Sequence, residues 1–305
     1  MANYLGIDIG GTKVKLGVVD GNKKEIIEET SVVTRTSDGT EAILDDITAA
    51  AKRLMLRNDV ERIGIGSAGR IDRRNGIVIT AGNLPFRNAP VAEELSRRLG
   101  KPAMLDNDGN CAVIGEYLAG IAVGRKDVVM LVVGTGIGGG VICGGRLLTG
   151  RNGRAGELGH TVIDIHSQTP CPCGLRGCFE QYCSAKALTA RTKAECELHP
   201  ESILAHTAGR IGIDGSTAFR AADAGCPVAE SLLEEYFTDF ALAVNSYVKI
   251  FMPELVVIAG GITNEGDGFL SRLGKHLLPE ADVRISPLKS YCGLFGAALQ
   301  HLMPQ

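Results

Sequence analysis

The feature that most constrains this chain is a unit that occurs twice. Tyr4 to Ile9 is a short apolar run leading into Gly10-Gly11-Thr12, and Val14 to Val19 follows, alternating early and apolar later. Near mid-chain, Val128 to Val133 leads into Gly134-Thr135-Gly136-Ile137-Gly138-Gly139-Gly140 and then Val141-Ile142-Cys143. Each copy reads as strand, glycine turn, strand. Two copies, each opening one half of the chain, imply an internal duplication. A P-loop or dinucleotide fold needs a helix directly after its glycines, with the helix N-terminus facing phosphate. Here a second strand follows, and neither Gly-Lys-Ser/Thr nor Gly-x-Gly-x-x-Gly fits. A glycine hairpin still presents consecutive backbone N–H groups as an anion-binding nest. Two such hairpins facing each other would clamp a triphosphate across a cleft; each alone is also an ordinary tight turn.

Around these units, helical and strand patterns alternate. Glu41 to Met55 carries Ile43, Leu44, Ile47, Ala50, Ala51 and Leu54 at helical spacing. Ile63 to Gly66 and Met104-Leu105 read as buried strands, and Cys111 to Leu118 as a helix. Leu232 to Phe251 places eight apolar or aromatic residues on one helical face and stops before Pro253. Leu255 to Ala259 is a fully apolar strand delivering Gly260-Gly261, and Gly293 to Met303 reads as a closing helix. Such alternation argues for α/β layering. The expected division is a small N-terminal domain, 1–115, with the closing helix 293–303 packing back on it, and a large domain, 116–292.

A second pattern is a metal frame. Glu157-Leu158-Gly159-His160 is followed, after ten residues, by Cys171-Pro172-Cys173-Gly174-Leu175-Arg176-Gly177-Cys178-Phe179-Glu180. Three thiolates and one imidazole complete a tetrahedral zinc shell with no open position, the mark of a structural site. His166 is the rival ligand. The chain has nine cysteines, an odd number, and its first residues enter a strand-like run with no leader pattern. The expected compartment is therefore a reducing cytoplasm, where closely spaced cysteines read as metal ligands rather than disulfides. The other six cysteines read as core or surface thiols. Glu157 and Glu180 flank the frame, and fixed carboxylates accept hydrogen bonds from neighbouring hydroxyls of a polyhydroxyl ligand.

Composition narrows the classes. At 305 residues the chain has room for about two domains. A net charge of −3 gives no basic footprint for nucleic acid or anionic membrane. The longest apolar stretch, Val128 to Cys143, is interrupted by five glycines and is too short to span a bilayer. Forty glycines and no tryptophan suggest ligands approached by backbone.

On these residues the chain resembles the ROK family, sugar kinases and sugar-responsive repressors on the actin/hexokinase fold. The resemblance runs over nearly the full length. It rests on Asp8-Ile9-Gly10-Gly11-Thr12-Lys13, Gly134-Thr135-Gly136-Ile137-Gly138-Gly139, Ala259-Gly260-Gly261, Glu157-x-Gly159-His160, and Cys171-x-Cys173-Gly174-x-x-Gly177-Cys178-x-Glu180. The last of these is highly specific. The resemblance implies an α/β, actin/hexokinase-like (ribonuclease H-like) duplicated two-domain fold, with a cleft between the domains and a structural zinc loop. It implies a site for Mg-ATP and a hexose, with His160, Cys171, Cys173 and Cys178 on zinc. The first two glycine motifs and Gly260-Gly261 would hold the nucleotide. The expected assembly is a homo-oligomer, dimer or tetramer.

Transfer to a sugar hydroxyl needs a base near the attacking oxygen and cations over the phosphoryl group. Leu105-Asp106-Asn107-Asp108-Gly109-Asn110 supplies the candidates. By the resemblance, Asn107 binds sugar and Asp108 is the catalytic base, although Asp108 would also serve as a helix N-cap. Alternation sends the Asp106 side chain to the face opposite Asn107. Asp8 would orient Mg²⁺ through water. Lys13 either neutralises phosphate or is a solvated strand residue. His160 would bind zinc through one ring nitrogen and a sugar hydroxyl through the other. Gly69 and Asn83 lie in loops that approach the sugar in related kinases.

The substrate signals conflict. Gly69-Arg70 and Gly109 resemble N-acetylmannosamine kinases, whereas Cys178-Phe179-Glu180-Gln181-Tyr182-Cys183-Ser184 and Gly82-Asn83-Leu84-Pro85 resemble glucokinases. The second group adjoins a sugar carboxylate, so glucose is the expected substrate, ahead of N-acetylmannosamine, mannose, fructose and allose. A repressor would need a DNA-binding segment before Asp8, for which this reading leaves no room. A sugar-sensing protein without catalysis would keep Glu157, His160 and Glu180 but would not need Asp108.

Overall fold

The computed structural model describes residues 2–304. The chain forms two compact units. The first contains the segment up to Met130, then Gly139–Gly156, then Ser286 onward; the second contains Leu131–Gly138 and Glu157–Ile285.

In the first unit, β1 (Asn3–Ile9) and β2 (Lys13–Asp20) form the expected hairpin, in register from Ile9↔Val14 to Asn3↔Asp20. β3 (Ile26–Val33) pairs along β2. α1 (Gly39–Met55) buries the six residues picked out by helical spacing. β4 (Arg62–Ser67) runs parallel to β1. β5 (Arg70–Asp72), β6 (Ile77–Thr80) and β7 (Arg87–Ala89) make a separate small sheet. After α2 (Val91–Leu99), β8 (Ala103–Asn107) pairs parallel with β4, giving the order β3-β2-β1-β4-β8. Leu5, Ile7, Ile9, Val14, Leu16, Ile63 and Ile65 of this sheet are fully buried with α1 in one core. Parallel strands covered on both faces need such near-continuous apolar runs. α3 (Asp108–Ala119) begins where β8 ends.

The second copy of the repeated unit, β9 (Val128–Val133) and β10 (Ile137–Cys143), again becomes two neighbouring strands of a five-stranded sheet. With β11 (Arg146–Leu147), β12 (Leu255–Ala259) and β13 (Val283–Ile285), the order is β11-β10-β9-β12-β13. The second unit adds α4 (Glu180–Cys183), α5 (Ala185–Leu198), α6 (Ile203–Ile211), α7 (Thr217–Asp223), α8 (Pro227–Phe251) and α9 (Asp267–Gly274). α8 buries Tyr236, Phe237, Phe240, Val244 and Tyr247. Phe240 meets Phe179 and Phe269 edge to face, at 5.1 and 5.5 Å between ring centroids, the arrangement the ring quadrupoles favour. Met252, in the left-handed region at φ 43°, ends α8 just before Pro253. No helix among the described residues is long and apolar enough to cross a membrane.

α10 (Cys292–Leu299) returns to the first unit and lies on β1 and β4 and along α3. It is shorter than the run 293–303 expected from sequence, because Gln300–Leu302 tightens into a 3-10 turn. The approach is backbone to backbone. A Cβ added at Gly296 would overlap the carbonyl of Cys111, and one at Gly64 the carbonyl of Ala297. Gly209 in α6 is the opposite case: it is exposed, and an added Cβ would meet nothing within 4 Å.

Two Gly→Ala substitutions should therefore move stability in opposite directions. Gly209→Ala gains about 0.5–1 kcal/mol of helix propensity. Each kcal/mol raises the melting temperature of a chain this size by about 2–4 °C. Gly296→Ala must push two helices apart and should lower it well below wild type. Thermal melts of both variants test the packing; a neutral Gly296→Ala would contradict it.

Candidate functional site

The first unit supplies one set of groups. The turn after β1 is tight: Gly10 N–H donates to the Lys13 carbonyl at 3.2 Å. Thr34, just past β3, clamps it by donating its hydroxyl to the Gly10 carbonyl (2.7 Å) and its N–H to the Thr12 carbonyl (2.9 Å). Asn83 lies beside this turn, since a Cβ built on Gly11 would come 3.1 Å from the Asn83 Cβ. Lys13 is exposed at the start of β2. Asp8 is half-buried near the end of β1, against Gly293 at the start of α10. Burial and the charge of Asp108 push Asp8 up to about 6, with Lys15 pulling the other way.

Asn107 and Asp108 occupy the junction of β8 and α3. The N-cap of α3 is Asn107, not Asp108: Asn107 Oδ1 accepts the N–H groups of Gly109 (2.8 Å) and Asn110 (3.3 Å). Its Nδ2 faces the Gly69 carbonyl at 3.3 Å. Gly69 has φ 108°, and a Cβ there would overlap the Thr80 carbonyl, so the turn that meets Asn107 requires glycine. Asp108 is the first residue of the helix, its Oδ1 3.0 Å from the Gly109 N–H. Capping thus falls to the neighbour of the expected base. Asp106 points to the other face, as alternation requires, and is buried against Arg73, Nε to Oδ2 2.7 Å. Burial pushes its pKa up, while Arg73, Asn110 and the Asn107 N–H pull it back.

The second unit supplies the other set. In the second glycine turn, Gly134 N–H donates to Gly136 C=O at 2.9 Å, and the Gly134 carbonyl accepts from Ala185 N–H at 2.9 Å. Glu180, first residue of α4, reaches this turn: its Oε2 accepts the Ile137 N–H at 2.8 Å, and a Cβ on Gly136 would overlap the same oxygen. Thr135 is the middle residue of the turn, and Gly138 is the second residue of β10. Gly260 follows β12, at φ 102° and close against the Val133 backbone, and Gly261 opens a 3-10 turn to Glu265. Glu157 is exposed, with Oε2 4.0 Å from His160 Nε2.

His160 Nδ1 turns the other way, 3.5 Å from Cys171 Sγ, and Cys173 Sγ lies 3.6 Å from Cys178 Sγ. The four donor atoms all fall within 4.8 Å of one another. Metal bonds of about 2.3 Å to sulfur and 2.0 Å to nitrogen give tetrahedral edges of about 3.5–3.8 Å, so the set fits a tetrahedral soft-donor site. Burial pushes the Cys171 and Cys178 thiols up, Cys178 to about 12, so a cation is needed to hold them as thiolates. His166 is outside this set; it is exposed, and its N–H donates to Asp164 Oδ1. The frame is anchored by Phe179, fully buried in the aromatic core, with its N–H on the Thr161 carbonyl at 2.8 Å.

Three residues of this geometry were not among the expected site residues. Lys15 stands across from Asp8, a pairing fixed once the hairpin closes at Ile9↔Val14. Gln181 donates to Cys171 Sγ at 3.7 Å. Arg73 is brought to Asp106 only by the tertiary fold.

Comparison with known proteins agrees with this architecture. The ROK family model matches residues 4–292. Glucokinase from Thermotoga maritima is 36% identical over 304 residues, covering 96% of this chain and 95% of that protein. N-acetylmannosamine kinase from Salmonella typhi is 30% identical, covering 97% of each. Among solved structures, a ROK family glucokinase from Streptomyces griseus, in complex with glucose and AMPPNP, aligns with a TM-score of 0.85 and 34% identity over 99% of both chains. The chain belongs to the ROK family, and its fold is the two-domain α/β, hexokinase-like fold of that family.

The raised Asp8 carboxyl sets a pH dependence. A folded-state pKa near 6 against an ordinary 3.8 means the folded protein holds this proton more tightly than the unfolded chain. Stability from this group is therefore greatest at low pH and is lost as pH rises from about 4 to about 6. Asp8→Asn, without divalent cation, should melt higher than wild type at pH 7, and the gap should close towards pH 4. A gap that stays constant with pH would contradict the assignment.

Proposed function

We propose that the chain transfers the γ-phosphoryl group of ATP to the 6-hydroxyl of a hexose, with glucose preferred. What carries this reading is its likeness over nearly the whole length to glucokinases, one of which holds glucose and AMPPNP. Asp108 takes the proton of the attacking 6-hydroxyl; the sugar oxygen bonds to the γ-phosphorus as the bond from that phosphorus to the β-phosphate oxygen breaks, giving ADP and the sugar 6-phosphate. Asn107 orients the sugar through its amide, and Gly69 and Asn83 line the same approach. Glu157, His160 and Glu180 accept and donate hydrogen bonds to the remaining hydroxyls. Asp8, Gly10, Gly11, Thr12 and Lys13, with Gly134, Thr135, Gly136, Gly138, Gly260 and Gly261, hold the nucleotide and its Mg²⁺, which neutralises charge on the phosphates when bound.

His160, Cys171, Cys173 and Cys178 would hold a zinc ion whose role is to fold the segment carrying Glu180. Four protein ligands leave no place on the ion for a substrate oxygen. N-acetylmannosamine is the second reading, favoured by Gly69-Arg70 and Gly109. The structure weakens half of that signal. A Cβ on Gly109 would overlap the Gly139 carbonyl and come 2.8 Å from its nitrogen, so Gly109 has a packing reason independent of substrate.

The test is coupled ADP release across glucose, mannose, fructose, allose, N-acetylglucosamine and N-acetylmannosamine. Glucose should give the highest kcat/KM, and silence across the panel would end the kinase reading. Glu180→Gln and Glu157→Gln should each raise the sugar KM far more than the ATP KM, because an amide gives up the charge-assisted hydrogen bonds that a carboxylate accepts from sugar hydroxyls. Equal effects on both substrates would indicate damaged folding.

Cys173→Ala should hold less than one zinc per chain and lose sugar binding while still binding ATP, as read by metal analysis and calorimetry. Retained sugar affinity without zinc would show that the Phe179 anchor alone suffices. Full zinc in that variant would show that the ligand set is wrong.

A further inference from the structure

Asp106 has no part in the chemistry above, yet its contacts converge on the segment that carries the base. Only 1% of its side chain is exposed. Its Oδ1 accepts the Asn107 backbone N–H at 2.8 Å and the Asn110 side-chain N–H at 2.8 Å, and its Oδ2 meets Arg73 Nε at 2.7 Å. Asn110 commits its amide nitrogen to Asp106 although this leaves its own Oδ1 buried without a hydrogen-bond partner. The orientation of Asn110 is thus dictated by Asp106. Asn110 N–H in turn binds the capping oxygen of Asn107. One carboxylate therefore grips the residues on both sides of Asp108.

Arg73 is itself held. It sits in the turn between β5 and β6, where Asp72 accepts the backbone N–H (3.2 Å) and the side-chain amide (2.7 Å) of Asn75. A buried carboxylate without its cation is strongly destabilising, so Asp106 depends on Arg73 to stay ionised and in place. The brace thus runs from the small sheet, through Arg73 and Asp106, to the start of α3.

We propose that Asp106, braced by Arg73, is a positioning residue for phosphoryl transfer: it holds the Asn107 backbone on one side of Asp108 and the Asn110 side chain on the other, and so aims the Asp108 carboxylate at the sugar hydroxyl. This rests on Asp108 being the base. Misplacing a reacting group by about 1 Å costs up to ~10²-fold in rate.

The experiment measures single-turnover rate, both KM values and melting temperature for Asp106→Asn, Arg73→Lys, Arg73→Met, Asp108→Asn and the double variant Asp106→Asn/Asp108→Asn. Asp106→Asn should lose ~10–100-fold in rate, with both KM values within about threefold of wild type. Arg73→Lys should keep more rate than Arg73→Met. The double variant should be no slower than Asp108→Asn alone, because misaiming an amide that takes no proton adds no further loss. A full rate in Asp106→Asn, or losses that multiply in the double variant, would overturn the proposal. So would a rate loss accompanied by a rise in both KM values and a lower melting temperature, which is a general structural effect. If Asp106→Asn does not fold, the two Arg73 variants decide: equal rates overturn the proposal, and Lys above Met at unchanged sugar KM supports it. Near-normal turnover in Asp108→Asn would remove the base assignment itself, whatever the Asp106 variants do.

Discussion

Helix α3 is fixed by contacts in which no side chain can rearrange. Its Gly115 meets the carbonyl of Cys292, its Cys111 carbonyl meets Gly296, and its Gly109 meets the backbone of Gly139. Two rigid backbones in van der Waals contact have a much narrower range of separations than two layers of rotating side chains, because protein interiors are already close-packed. The helix axis is therefore set from α10 on one side and from β10 on the other. Asp108 is the first residue of that helix, so its position is inherited from packing over the first two turns. The same logic explains why the chain carries so many glycines. Some make turns, as the sequence suggested, but others are contact points where a helix lies on a strand or on another helix.

Onto this rigid frame the first unit places three carboxylates in unlike environments. Asp106 is enclosed and has a cation and two amide donors. Asp8 is half-buried and feels the charge of Asp108, with Lys15 offsetting it across the hairpin. Asp106 faces a guanidinium, whereas Asp8 faces another carboxylate, that of Asp108, as well as a lysine. Two neighbouring carboxylates beside a glycine turn suit a cation bound to phosphate, and their repulsion has a cost in stability when that cation is missing.

Much of this was legible in the sequence. Strand–glycine–strand units have a period and a punctuation that no helix reproduces, so both hairpin units could be read directly. The Cys-His frame was legible because ligand spacing is local. His160 was favoured over His166 by the resemblance, and its donor atoms lie with those of the three cysteines. The block from Ala185 to Asp223 folds into three helices with few apolar residues to mark them; α5 buries only Leu188 and Thr192. The small sheet escaped for a similar reason, its strands being only three or four residues long. Arg73 could not be assigned to Asp106 from sequence, because 33 positions separate them and alternation gives the face of Asp106 but not its partner. Capping was misallocated between adjacent residues. Asn and Asp cap equally well, and only the backbone at Asn107, extended at φ −68° and ψ 148°, identifies which of the two stands outside the helix.

In the second unit, Glu180 links two features that look independent in sequence. It follows Cys178 of the metal frame by two residues and accepts a hydrogen bond from the backbone of the second glycine turn. That bond commits one carboxylate oxygen to the turn, and the overlap that any Cβ at Gly136 would create shows how closely the two segments are fitted. A side chain held at both ends has little rotamer freedom left to lose when a ligand binds, which lowers the entropy cost of recognition. The same constraint makes the two features mechanically dependent. A side chain added in the turn would be felt at Glu180. The buried Phe179 limits any such shift, because its ring is locked between Phe240 and Tyr247. The position of Glu180 is therefore set jointly by a metal frame, an aromatic core and a glycine turn, three unrelated kinds of interaction acting on the consecutive residues Cys178, Phe179 and Glu180.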